Sequence, residues 1–219
     1  MNNYFDQFNA KHFPHKIIEL EDYAKEQHVP IIMKDSLLVI LEIMDLIKPK
    51  KILEIGTAIA YSSICMAYYT KATIDTIERD DQMYKLACQN IAKFKLNDYI
   101  NVHHVDALEI DVNDLSEYDI IFIDAAKAQN IKFFEKFSPL LKPNGVIITD
   151  NLQFHGTITD LESQSKNVRK MVEKIDKYNH YLNELSNYHT IFINVGDGIS
   201  ITRRIKDETN MWCKFNSRG

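Results

Sequence analysis

The chain has 219 residues, is 45% hydrophobic and carries a formal net charge of −5, which is enough apolar content for a large core and excludes a disordered or fibrous sequence. No apolar run approaches the roughly 20 residues that cross a bilayer, and the amino terminus lacks a basic segment followed by an apolar one, so a cytoplasmic protein without a membrane partner is expected. The acidic balance leaves only local Lys and Arg clusters for any nucleic-acid contact, and three cysteines without C-x-x-C spacing indicate neither a disulfide framework nor a zinc knuckle.

Apolar residues in "KIIELEDYAKEQ" and "KDSLLVILEIMDLIK" recur at helical spacing, predicting helices over 14–28 and 35–48, parted by "HVPIIM" where Pro30 interrupts. From Lys51 the pattern changes. The short runs "KILEI", "ATIDTIE", "INVHHV", "YDIIFID" and "GVIITD" read as buried strands, and "AYSSICMAYY", "DQMYKLACQNIAKF" and "KAQNIKFFEKFSPLL" read as the helices between them. That alternation predicts a doubly wound α/β fold with ligands beyond the carboxyl ends of the strands. A longer helical stretch, "SKNVRKMVEKIDKYNHYLNEL", then precedes "YHTIFINV" and "GISITRRI", joined by the hairpin turn "GDG". The sheet is expected to close on an antiparallel pair. A single domain over 1–219 follows, with a helical part over about 1–48 and a sheet core over about 50–206.

The first strand runs into "ILEIGTAIAYSS", where Gly56 permits a tight turn and a close ligand approach. An ordinary strand-to-helix turn reads the same way, since Ala60 stands where a second glycine of a dinucleotide site would fall. Glu78 ends strand two about 20 residues further on, the spacing at which an acid meets a ribose. Asp106 and Ala107 end strand three, placed to border an adenine. Each acid alone fits a structural role; the ordered set favours an adenosyl pocket.

Strand four ends at Asp124, and strand five at Asp150 followed by Asn151. Two carboxylates and an amide oxygen from adjacent strand ends suit a hard cation such as Mg²⁺, although Asp and Asn are also preferred helix caps. Lys127 lies three residues after Asp124, one turn into the predicted helix. It reads either as a surface ion pair worth little, or as an amine whose pKa a nearby cation depresses until it can take a proton from substrate.

With "EIGTAIAYS", "IERD", "FIDAAK" and "ITDN" in this order, the chain from Met33 to about Arg204 resembles the cation-dependent O-methyltransferases that include the catechol and caffeoyl-coenzyme A enzymes. The resemblance implies a Rossmann-like class I methyltransferase fold: a seven-stranded, mostly parallel sheet with an antiparallel last strand and N-terminal helices. It also implies S-adenosylmethionine as cofactor, with Met33, Glu54, Gly56, Thr57, Ser62, Glu78, Asp106, Ala107 and Asp124 around it. Mg²⁺ (or Mn²⁺) on Asp124, Asp150 and Asn151, catalysis by Lys127 with Asp124, and a homodimer follow from the same likeness. "FIDAAKAQ" and "DNLQFHG" are most similar to a bacterial branch that methylates 5-hydroxyuridine at the tRNA wobble position. Two departures are evident: Ala60 adds a methyl near the cofactor's methionine end, and Ala126 lacks the aromatic that walls the catechol pocket in animal members.

A tRNA substrate needs phosphate contacts, and the clusters available are Lys166, Arg169 and Lys170; Arg203, Arg204 and Lys206; and Lys11, His12, His15 and Lys16. A solvated helix face and a hairpin rim explain these residues equally well. Phe154 and Tyr61 could stack on a splayed base, but core packing or cofactor contact is the favoured reading of both, and His155 reads as a plain loop residue before a substrate contact. A small catechol-like substrate, and a silent adenosyl- or RNA-binding module, are the competing functions.

Overall fold

The computed structural model describes residues 14–125, 127–153 and 165–205. Helices α1 (His15–Glu26) and α2 (Lys34–Ile47) form where the sequence predicts them, because Ile17, Leu20 and Ala24 on one and Leu37, Ile40, Leu41 and Met44 on the other make one buried stripe each. Seven strands follow: β1 (Lys51–Ile55), β2 (Thr73–Glu78), β3 (Ile100–His104), β4 (Tyr118–Ile123), β5 (Leu141–Thr149), β6 (Tyr188–Ile193) and β7 (Ile199–Arg204). The sheet order is β3-β2-β1-β4-β5-β7-β6. Pairings from β3 through β5 are parallel, and β7 runs antiparallel to both β5 and β6. The predicted architecture therefore holds, including the reversed strand near the end.

The crossover helices are α3 (Tyr61–Thr70), α4 (Asp81–Lys93), α5 (Asn130–Phe137) and α6 (Lys166–Glu184). Successive strand residues face opposite layers. Ile52, Ile74, Ile120, Phe122 and Ile148 pack with α1, α2, α3 and α4, whereas Leu53, Ile55, Ile77, Ile121, Ile123 and Ile147 pack with α5 and α6. Burial on both faces is why these strands read as continuous apolar runs rather than as alternating ones. No described helix is long and apolar enough to cross a membrane.

The segment "KAQNIKFFEKFSPLL" departs from the single helix expected of it. Lys127–Gln129 form a 3₁₀ turn, α5 occupies only Asn130–Phe137, and Ser138–Leu140 form a second 3₁₀ turn. Pro139 cannot donate to a continuing α-helix, and β5 starts at Leu141, ahead of "GVIITD". Lys127 thus precedes the helix instead of sitting one turn inside it. The expectations for Lys11, His12, Ala126, Phe154, His155 and Lys206 fall outside the described residues.

Candidate active site

Because β1 lies between β2 and β4, the connections leave it toward opposite sides, opening a crevice at the carboxyl ends. Strand pairing continues one residue past each end: the Gly56 N–H donates to the Ile77 carbonyl (3.1 Å), that of Asp124 to Ile55 (3.0 Å) and that of Asp150 to Ile123 (3.2 Å). Gly56, Asp124 and Asp150 are aligned by this register. Gly56 has φ +102°, and a Cβ there would lie 2.3 Å from the Asp124 carbonyl oxygen. The immediate reason for glycine is therefore the approach of the β4 backbone rather than of a ligand.

A cavity of about 690 Å³ opens over these ends, lined by Met33, Gly56, Thr57, Ser62, Glu78, Asp106 and Ala107 together with Asp124, Lys127 and Asn151. At one end Glu78 is fixed by the N–H groups of Ala58 (2.8 Å) and Asp80 (2.9 Å). Asp106 accepts from the Leu108 N–H (2.9 Å) and from Arg79 Nη1 (3.3 Å), and the Leu108 bond is the main reason that its carboxyl is held below the usual range. Thr57 and Thr76 share a 2.7 Å hydroxyl contact beneath the cavity.

Two expectations are corrected here. Glu54, expected at the cofactor, is fully buried and does not line the cavity. Its carboxyl accepts from Ser62 Oγ (2.5 Å), Ser63 Oγ and Thr76 Oγ1 (2.6 Å). Burial pushes it up to about 7, with Asp124 adding to the rise and the three hydroxyls opposing it. Glu54 is therefore placed behind Ser62, which carries its influence to the cavity wall. Ala60 (φ +65°) is completely buried and belongs to the core, so its methyl does not narrow the cavity. Tyr61 lines the cavity from the core, in keeping with a packing or cofactor-contact role, and its hydroxyl is tied to Glu21 Oε1 at 2.6 Å, which makes it a fixed wall rather than a free stacking ring.

At the other end Asn151 (φ +67°) donates from Nδ2 to Asp124 Oδ1 at 2.8 Å. Asp150 is 2% exposed, and neither of its oxygens has a hydrogen bond of normal geometry among the described residues. Burial first, and Asp124 second, push its carboxyl up to about 7, while the nearby Asn151 N–H offsets part of the rise. Burial likewise raises Asp124 to about 6, against the Asn151 amide and the Lys127 charge. A buried carboxylate with neither oxygen satisfied, beside a second, half-buried one, must take up a proton or a cation. With the Asn151 amide they make an all-oxygen set that fits a hard divalent ion. No group of three or more His, Cys, Asp or Glu placed to hold a metal occurs among the described residues, so the third protein ligand of such an ion would be the Asn151 amide.

Lys127 Nζ stands 3.8 Å from Asp197 Oδ2. Burial lowers the pKa of this amine, while Asp197, Asp124 and Asp150 in that order oppose the shift. Its own environment, and not only a bound cation, thus drives it toward the neutral form. Asp197 is the residue that the sequence did not reveal as part of the site. It is 2% exposed in the β6–β7 turn, and an Asp between two glycines looks the same in a solvent-exposed turn.

This sheet order with a cavity across its switch point defines a Rossmann-like methyltransferase. The profile of the O-methyltransferase family matches residues 19–205, and the chain belongs to that family. A Staphylococcus aureus protein provisionally described as a caffeoyl-CoA O-methyltransferase is 38% identical, with 92% of this chain and 98% of that one covered at a TM-score of 0.87. The O-methyltransferase from Bacillus cereus solved with SAH is 24% identical and shares the fold, with 91% and 96% covered and a TM-score of 0.77. The caffeoyl-CoA O-methyltransferase of Stellaria longipes is 28% identical over 169 residues, 73% of this chain and 70% of that protein. The chain is an S-adenosylmethionine-dependent O-methyltransferase.

Proposed function

We propose that this enzyme depends on a divalent cation and methylates a substrate with two adjacent oxygens, specifically 5-hydroxyuridine at the wobble position of tRNA, giving 5-methoxyuridine. The observation that carries the cation dependence is the buried Asp150, with both oxygens unsatisfied, next to the half-buried Asp124 that lines the cavity with Lys127. Mg²⁺ or Mn²⁺, which Asp124, Asp150 and Asn151 would hold, would supply Lewis-acid polarisation of a substrate oxygen. S-adenosylmethionine supplies the electrophilic sulfonium methyl. Glu78 and Asp106 bind its adenosyl end, and Met33, Gly56, Thr57 and Ser62 line the path toward Asp124. Lys127 Nζ, in its neutral form, would take the proton of the substrate hydroxyl whose oxygen would accept that methyl.

The tRNA assignment is supported by α6. Met171 on this helix lines the cavity, and Lys166, Arg169 and Lys170 are exposed on the same helix beside it, at a rim where RNA phosphates flanking a splayed base would pass. The second reading is a catechol-like small molecule, which has the same oxygen pair. It is favoured by the names of relatives, including a catechol O-methyltransferase of Niastella koreensis that is 31% identical over 124 residues, 54% of this chain and 56% of that protein.

Incubation with labelled S-adenosylmethionine and either 5-hydroxyuridine-containing tRNA or a catechol panel, with Mg²⁺ or with chelator, separates the readings. Metal-dependent label in tRNA alone is the expected outcome, and label only in catechols replaces the substrate assignment. Asp124→Ala is expected to abolish metal-dependent turnover; full activity in that variant would sink the proposal. A homodimer also belongs to the proposal, supported by the edge strand β6, which exposes Ile191 and Phe192. Light scattering at a single chain mass of 25.5 kDa would remove it.

A further inference from the structure

The β6–β7 turn is built into the molecule on both sides, which a solvent-exposed hairpin does not require. Gly196 (φ +54°) lies where a Cβ would meet Ser36 Oγ at 2.1 Å, and Gly198 (φ +80°) where one would meet Gln153 Cγ at 2.7 Å. Ser36 on α2 donates to the Val195 carbonyl (3.2 Å), the Gln153 N–H to Asp197 O (2.8 Å) and the Leu152 N–H to Gly198 O (3.0 Å). The turn is thereby fastened to α2 and to the segment directly following Asp150 and Asn151. Its one central side chain, Asp197, is a buried carboxylate, which costs several kcal/mol unless a cation answers it. Lys127 Nζ faces it at 3.8 Å.

The Lys127 ammonium is drawn by three carboxylates: Asp197, Asp124 and Asp150. Two of these are the proposed cation ligands. The lysine side chain is long, starts from a short 3₁₀ turn and lines the same cavity as Asp124, so without a fixed partner it would fold onto Asp124 and Asp150 and compete for their charge. We propose that Asp197 is a positioning residue that holds the Lys127 ammonium on the hairpin side, keeping Asp124 and Asp150 available to a divalent cation. The inference rests on the cation reading above and adds a division of labour among the acids: two for the metal, one for the lysine.

The test is direct Mn²⁺ binding to the full-length protein, read from the electron paramagnetic resonance signal of free Mn²⁺, in a double-mutant cycle of Asp197→Asn and Lys127→Met. Both substitutions keep approximate size, and matched thermal melts show that the variants are folded; Asp197→Ser serves as the second variant if the amide unfolds the turn. Asp197→Asn alone is expected to weaken Mn²⁺ binding about tenfold or more, because the released ammonium occupies the carboxylates. In the Lys127→Met background the same change is expected to matter by no more than about threefold, because no ammonium is left to compete. Equal weakening in both backgrounds would mean that Asp197 acts through its own charge and would overturn the inference. So would unchanged affinity in Asp197→Asn. If the parent protein binds no Mn²⁺, the cation reading itself fails, an outcome distinct from failure of the cycle.

Discussion

Glu54 offers the sharpest test of electrostatics at a single residue. Its carboxyl is raised to about 7 in the folded protein against an ordinary 4.5. Between those values the native state binds a proton that the unfolded chain does not, so the contribution of Glu54 to stability is full at low pH and is lost as pH rises toward 7. Glu54→Gln removes this dependence and leaves that of Asp124 and Asp150 in place. The unfolding free energy of the variant relative to the parent should therefore climb by up to ~1.4 kcal/mol per pH unit across that window, measured by urea melts at pH 5 and pH 7.5. A difference that is flat with pH would show that the carboxyl is ionised throughout. Only part of this environment was legible in the sequence. An acid two residues before Gly56 marks the first strand of a nucleotide site, but its donors, Ser62, Ser63 and Thr76, lie eight, nine and 22 residues away. What they do to it depends on how α3 closes over β1 and β2.

For β1 and β4, the close approach at Gly56 makes the pairing of strand ends and the placing of Asp124 the same event. In Gly56→Ala the new methyl would collide with backbone, at 2.3 Å from the Asp124 carbonyl and at a φ of +102°, so neither strand can yield by rotating a side chain. A loss of more than ~3 kcal/mol of stability is expected, with weakened cation binding as Asp124 moves; chemical denaturation and metal titration of the same variant read both. A loss below ~1 kcal/mol would mean that the ends can part freely. The strands themselves were legible because burial on both faces writes uninterrupted Ile, Val and Leu runs. The helix over Lys127 was misplaced because its apolar residues, Phe133, Phe134 and Phe137, begin only after the 3₁₀ turn, and periodicity counts turns without fixing their start. The turn "GDG" was legible as a hairpin from its glycines. That both glycines answer to close neighbours, Ser36 and Gln153, was not.

Across the whole molecule, strand-helix alternation foretells the switch point, because connection handedness leaves few ways to wind such a chain. It does not foretell which surface residues share an end of the sheet. The two basic clusters within the described residues illustrate this. Ser200 of β7 pairs with Thr149 at the active-site end. Arg204 reaches the opposite end, where its Nη2 donates to the carbonyls of Ser138 (2.9 Å) and Pro139 (3.3 Å) ahead of β5. Four strand steps at ~3.4 Å each separate the two positions. Arg203 and Arg204 therefore do not join Lys166, Arg169 and Lys170 on one footprint. If the substrate is tRNA engaged at the cavity mouth, the double change Arg169→Glu, Lys170→Glu should lower kcat/KM on hydroxylated tRNA about tenfold or more and flatten its salt dependence, because two phosphate contacts are lost. Turnover of a catechol probe should be unaffected, since both side chains are exposed on α6 and do not line the cavity. Arg203→Glu, at the far end of β7, should change neither activity. Sensitivity to Arg203→Glu alone would place the RNA across the opposite edge of the sheet, and indifference of tRNA turnover to every one of these reversals would mean that neither basic cluster contacts the RNA.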